Sequence, residues 1–101
     1  MVQGRRKIIW TIIARTTRNS IFSYWNNRNK SNLYSKKLFV LFNETLERIA
    51  INPEASIATN AENIRAVLVR DYYLIFEINE FTIKVLDIWD TRQNPQNFPI
   101  K

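Results

Sequence analysis

The chain has 101 residues and contains neither histidine nor cysteine. It therefore lacks the commonest general base near neutral pH, thiolate nucleophiles, disulfides and the usual ligand sets for structural zinc. Any reaction it performs must be built from carboxylate, lysine, arginine, tyrosine or hydroxyl groups, and the expectation is for no metal and no cofactor. What stands out among these groups is where the charge lies. Arg5, Arg6, Lys7, Arg15, Arg18, Arg28, Lys30, Lys36 and Lys37 all precede the first carboxylate, Glu44. From residue 44 onward, six cations face all nine acids, and the whole chain carries +6. Unopposed cations in one half point to a polyanionic or acidic-protein partner, with Arg15, Arg18, Arg28, Lys36 and Lys37 as candidate contacts. The plainer reading is a solvated face kept basic for solubility. The single glycine, Gly4, lies outside every predicted element, which excludes a glycine-rich phosphate loop.

The elements that must hold these groups are legible from periodicity. Length and a 46% hydrophobic, 24% charged composition fit one globular domain over residues 1–101. Arg5-Arg6-Lys7 followed by IIWTIIA faintly resembles a signal peptide. However, the apolar run is short, has no small-residue cleavage site and meets Arg15 at once. No run approaches the roughly 18 apolar residues of a membrane span, so a soluble, cytoplasmic protein is expected.

Lys7–Ala14 (KIIWTIIA) reads as a strand buried on both faces, with Thr16, Thr17 and Asn19 as caps for a short helix over Ser20–Lys30. Leu33–Ala50 is the clearest helix: Tyr34, Leu38, Leu41, Phe42, Thr45, Leu46 and Ile49 follow the three-four spacing. Ser31 or Asn32 is its expected cap, and Asn52-Pro53 its stop. Two helices with a short joint predict an antiparallel hairpin. Pro53–Asn63 reads as a polar connector, and Ile64–Val69 as a strand joined to the next by Arg70-Asp71.

Two β-branched and aromatic runs, Tyr72–Ile78 and Phe81–Trp89, close the chain with only Asn79-Glu80 between them, which predicts a tight antiparallel hairpin. That turn would pair Ile78 with Phe81, Phe76 with Ile83 and Leu74 with Val85 on one apolar face. Tyr73, Ile75 and Glu77 would lie on a mixed opposite face with Leu86, Lys84 and Thr82. Pro95 would end the pairing. The order β-α-α-β-β-β is an α+β domain, an N-terminal strand and a helical hairpin packed on a small, mostly antiparallel sheet.

A basic first strand (KIIWT), a helical hairpin and a terminal three-stranded meander ending IWDTRQNP together resemble the RelE/ParE superfamily, the toxins of bacterial type II toxin–antitoxin modules. The aspartate-x-arginine-x-x-proline pattern is similar to that of the plasmid-stabilisation members. The resemblance implies growth arrest, neutralisation by a cognate antitoxin and a toxin–antitoxin hetero-oligomer. It also implies one of two targets. RelE-like members cleave messenger RNA on the ribosome with lysines, arginines and a tyrosine, whereas ParE-like members poison DNA gyrase.

Aligned on its last two strands, the sequence keeps the ribonuclease-type arginine at Arg92. Tyr73 stands where a second arginine is often found, and Phe98 where the terminal tyrosine would be. Arg65 and Arg70 are candidate cations of the preceding strand. Cleavage by 2′-hydroxyl attack needs a proton acceptor, a cation for the crowded phosphate and a donor to the leaving oxygen. The arginines supply charge, but Phe98 accepts no proton, leaving Tyr73, Asp87 or Asp90. Arg92 is also placed to brace Asp90. Trp10, Trp25 and Trp89 read as core. The departures at Tyr73 and Phe98 favour the gyrase-directed reading. The ribonuclease and a non-toxic basic nucleic-acid-binding domain are the alternatives.

Overall fold

A computed structural model describes residues 5–92, so Phe98 and Pro95 lie outside the described residues. The element order is β1 (Lys7–Trp10), α1 (Ile12–Asn29), α2 (Leu33–Ile51), a 3-10 turn (Pro53–Ala55), β2 (Ile57–Ala58), β3 (Ile64–Val69), β4 (Tyr72–Ile78) and β5 (Thr82–Asp90). The strands form one sheet in the order β1-β5-β4-β3-β2, with β1 parallel to β5 and every other pairing antiparallel. This is the α+β arrangement expected from the sequence. No helix among the described residues is long and apolar enough to cross a membrane.

The N-terminal apolar run is divided differently from the expectation. The strand stops at Trp10, its residues alternate between exposed and half-buried, and it occupies a sheet edge rather than being buried on both faces. Thr11 ends it. Its hydroxyl accepts from the Ala14 N–H at 3.1 Å, so Thr11, not Thr16, Thr17 or Asn19, caps a helix that begins eight residues earlier than periodicity indicated. The same hydroxyl donates to the Val85 carbonyl at 2.9 Å, fixing the start of α1 to β5. α1 ends on Lys30, whose left-handed φ of 53° turns the chain into α2. At the start of α2, Asn32 makes no side-chain cap; the Ser31 hydroxyl accepts from the Leu33 N–H instead.

The stripe on α2 falls where its spacing puts it: Leu38, Phe42, Thr45, Leu46 and Ile49 are buried, and Tyr34 and Leu41 are half-buried. With Ala14 of α1, Leu38, Phe42 and Leu46 pack on Val69, Tyr72, Leu74, Val85 and Ile88 of the sheet. Ile49 and Ala50 pack on Phe76 and Ile83. Both helices thus cover one face of the sheet.

The terminal hairpin has a wider turn than the two residues expected. Asn79 Oδ1 accepts from the N–H groups of Phe81 and Thr82 and from the Thr82 hydroxyl, so Asn79 shapes the loop through its side chain, not through a left-handed backbone. Phe81 is left 73% exposed and outside the apolar face assigned to it. The register becomes Ile78 with Ile83 and Phe76 with Val85. A two-residue slip preserves side-chain parity, so the intended residues still face the core.

One extra residue then intervenes on β5. Phe76 pairs with Val85 but Ile75 pairs with Asp87, leaving Leu86 as a bulge. The bulge resets the alternation, so Ile88, not Asp87, follows Ile83 and Val85 in the buried row and lies opposite Leu74. The Pro53–Asn63 connector also holds more order than its composition suggested, namely the 3-10 turn and the two-residue strand β2 on β3.

Candidate functional site

The corner where β5 leaves the sheet collects several of the groups singled out in the sequence. Tyr72 pairs with Asp90, and the Thr91 N–H donates to the Asp71 carbonyl at 2.9 Å, drawing the chain after β5 against the β3–β4 turn. Asp90 Oδ1 accepts from the Arg92 backbone N–H and from Arg92 Nε, both at 2.9 Å, while Oδ2 accepts from an Arg92 terminal nitrogen at 2.7 Å. This two-pronged pair holds the Asp90 carboxyl below the usual carboxylate range and the guanidinium above its ordinary value. The Arg92 guanidinium also lies 5.9 Å from the centre of the Trp25 ring.

Beneath it, Trp25 Nε1 donates to the Tyr72 hydroxyl at 2.7 Å. Burial pushes the Tyr72 phenol up, which keeps it neutral. A cavity of about 400 Å³ opens between these groups and α1, lined by Thr17, Ser20, Ile21, Tyr24, Tyr72, Asp90 and Arg92. Beside it, the Thr17 hydroxyl donates to Asp87 at 2.8 Å.

The remaining candidate residues are dispersed. Arg70 sits in the β3–β4 turn at this same end, with a left-handed φ of 58° and an exposed side chain. Arg65 pairs with Phe76, four register steps from the Val69–Tyr72 end, or roughly 13 Å along the strand. Its Nε and a terminal nitrogen donate to the Ser56 hydroxyl and carbonyl, each at 2.7 Å. Tyr73 points to the other face of the sheet, opposite Trp89, and both are half-buried. Arg92, Arg65 and Tyr73 therefore do not converge on one point.

The basic first half presents a second surface, whose cations the charge asymmetry marked and whose apolar groove residue spacing did not reveal. Arg18, on α1, lies 4.8 Å from the Trp10 ring centre on β1 and 5.4 Å from that of Phe39 on α2. Among the described residues no carboxylate pairs with it. Burial, and then Arg15, pull its guanidinium below the ordinary arginine value. Phe22 meets Phe39 edge-on and stacks along Phe42, which roofs the helical hairpin with rings. An almost wholly apolar groove of about 480 Å³ runs along Phe22, Ser35, Lys36, Phe39 and Val40, with Phe39 43% and Val40 51% exposed. Arg15 and Lys37 stand exposed on the same two helices, and Arg28 lies at the hairpin end beside Tyr24 and Lys30. The arrangement suits a ligand that brings apolar side chains together with carboxylates. No group of metal-ligating side chains occurs among the described residues.

Comparison with known proteins gives the family and the fold. The family model for the ParE toxin of type II toxin–antitoxin systems, parDE, matches residues 8–95. Among solved structures, the chromosomal ParDE toxin–antitoxin system from P. aeruginosa is similar in fold with a TM-score of 0.71. The match is 12% identical in sequence and covers 89% of this chain and 100% of that one. No curated protein matches the chain in sequence.

Proposed function

This chain belongs to the ParE toxin family of type II toxin–antitoxin systems, and from that premise we propose that it arrests growth by binding DNA gyrase and is silenced by a cognate antitoxin. The observation that carries the choice of target is the state of Arg92. A ribonuclease would need that guanidinium free for a phosphate, with a proton acceptor close by. Here both prongs lie on Asp90, Arg65 stands at the far end of β3, and Tyr73 faces the other side of the sheet. Such a set favours a surface that binds over one that turns over RNA.

For the antitoxin, the reading uses the hairpin groove. An acidic segment with apolar anchors would bury side chains against Phe39 and Val40 and place carboxylates near Arg18, Lys36 and Arg15. Burial would hold the complex and charge would accelerate encounter. Arg28 and Lys37 extend the same basic face.

The deciding experiment incubates the purified chain with gyrase and plasmid DNA and, separately, with programmed ribosomes. Double-strand breaks that require gyrase, with messenger RNA left intact, are the expected result. Messenger RNA cleavage on ribosomes that disappears in Arg92→Ala would replace this reading with the ribonuclease. An absence of both activities, with no growth arrest on induction, would leave the non-toxic binding domain.

A further inference from the structure

The opposite end of the β3–β4 pairing carries a separate cavity, of about 440 Å³. Arg6, from the segment before β1, and Arg65, on β3, both line it. Each is oriented by neutral acceptors: Arg6 Nε donates to the Asn79 carbonyl at 2.9 Å, and Arg65 is held twice by Ser56. Neither has a carboxylate within ion-pair distance among the described residues, in contrast to Arg5 on Glu47 and Arg92 on Asp90. No described residue accepts from either terminal nitrogen of Arg6 or from Nη1 of Arg65. Two pre-oriented guanidiniums with unused N–H groups at one cavity offer the kind of donors that an oxyanion takes up.

The rest of the lining narrows the ligand. Glu54 and Glu62 are exposed at the same cavity. Their charges oppose a dianion but accept hydroxyl or amino donors, which favours a singly charged oxyanion attached to donor groups. Pro53, Ile64 and Ile78 add an apolar wall. The volume falls in the range of small-molecule sites, roughly 300–1,000 Å³. The Thr59 hydroxyl, bonded to the Ile64 carbonyl at 2.7 Å and to the Ala61 N–H at 3.1 Å, braces the β2–β3 loop that forms one side.

We propose that this cavity binds a nucleotide unit through its phosphodiester. The single negative charge lies between Arg6 and Arg65, the base rests on Pro53, Ile64 and Ile78, and the sugar or base donors reach Glu54 and Glu62. A short free dinucleotide and a nucleic-acid strand offer the same chemistry. No residue of the helical hairpin lines the cavity, and the site is proposed apart from the gyrase reading.

The test is titration of the full chain at low salt, followed by calorimetry and by amide chemical shifts. The probes are a dinucleoside monophosphate, the corresponding nucleoside, inorganic phosphate and a single-stranded oligonucleotide. The dinucleoside monophosphate should bind at least ~10-fold more tightly than nucleoside or phosphate and should shift the amides of Arg6, Ile64 and Arg65. Arg6→Gln and Arg65→Gln should each weaken it by ~10-fold or more at an unchanged melting temperature. Arg65→Lys should recover only part, because an ammonium lacks the planar fork. Glu62→Gln should strengthen inorganic phosphate binding. Tighter binding of the oligonucleotide, lost by the same factor in both glutamine variants, would identify a strand as the source; equal affinity would identify the free dinucleotide. If Arg65→Gln unfolds the chain, Arg6→Gln decides alone. Failure of every probe to bind, or binding indifferent to the arginine substitutions, overturns the site whether or not gyrase is poisoned.

Discussion

Arg18 and Arg92 both lie over aromatic rings, Trp10 and Phe39 for one and Trp25 for the other, yet they occupy opposite electrostatic situations. Arg92 spends its two prongs on Asp90, two residues away. Arg18 has rings on two sides and no acid among the described residues. The first is a closed local circuit that shapes a corner; the second is a partly desolvated cation left over on an apolar groove. A family resemblance draws attention to the arginine in the motif. The physical arrangement makes the other one the stronger candidate for capturing an acidic partner.

The most disruptive way to test the separation is to remove what joins the two regions. Phe42 stacks on Phe22 of the groove at 6.3 Å between centres and meets Tyr72 of the corner edge-on at 6.2 Å. Phe42→Ala should cost about 3–5 kcal/mol in urea unfolding, a large share of a small domain's stability. It should loosen the groove and the corner together, and hydrogen exchange that rises at only one of them would show that the two are mechanically separate. Next in size, Trp25→Phe leaves the buried Tyr72 hydroxyl without its donor and should cost roughly 1–3 kcal/mol. An unchanged unfolding midpoint would mean the hydroxyl had found another partner.

Arg18→Ala should cost on the order of 1 kcal/mol, since it removes two ring contacts and a packed stem. Because those contacts involve no opposite charge, the loss should persist in 0.5 M salt, a concentration that screens exposed ion pairs. If the loss vanishes in salt, Arg18 is held by a carboxylate after all.

Asp90→Asn should have the smallest effect, below about 1 kcal/mol, because Arg92 is half exposed and screened by solvent. Its signature is pH dependence. The folded carboxyl titrates below its unfolded value, so the wild-type advantage is full above the ordinary carboxylate range. It fades as pH falls through the depressed folded value. Stability curves of wild type and Asp90→Asn should therefore converge in acid. A separation that stays constant down to about pH 2 would show that ionisation of Asp90 adds nothing to the fold.

Where sequence and structure agree, the signal was local. β3 and β4 have the bounds their β-branched runs indicated, and α2 departs by one residue because its stripe is unambiguous. Ile12 and Ile13 read as strand in sequence because β-branched pairs locally favour it. What converts them to a first helical turn is Thr11, tied to Val85 across 74 positions. The Leu86 bulge and the reach of Asn79 to Thr82, three residues on, likewise depend on side chains meeting backbone, to which hydropathy is blind. At the corner, the Asp90–Arg92 brace was readable from a spacing of two. The stacking of Arg18 was not, since β1, α1 and α2 must all be in place before its rings exist.

The parallel pairing of β1 with β5 has a consequence for synthesis. Lys7 finds its partner at Thr82, 75 positions later, whereas Ile78 and Ile83 close a loop of only a few residues. By loop-closure entropy the first costs roughly 2–3 kcal/mol more than the second. Of the strands described, β1 is made first and seated last, because the strand it docks on follows it by 75 positions. A polypeptide released early, before residue 82, would have neither β5 nor a docking edge for β1.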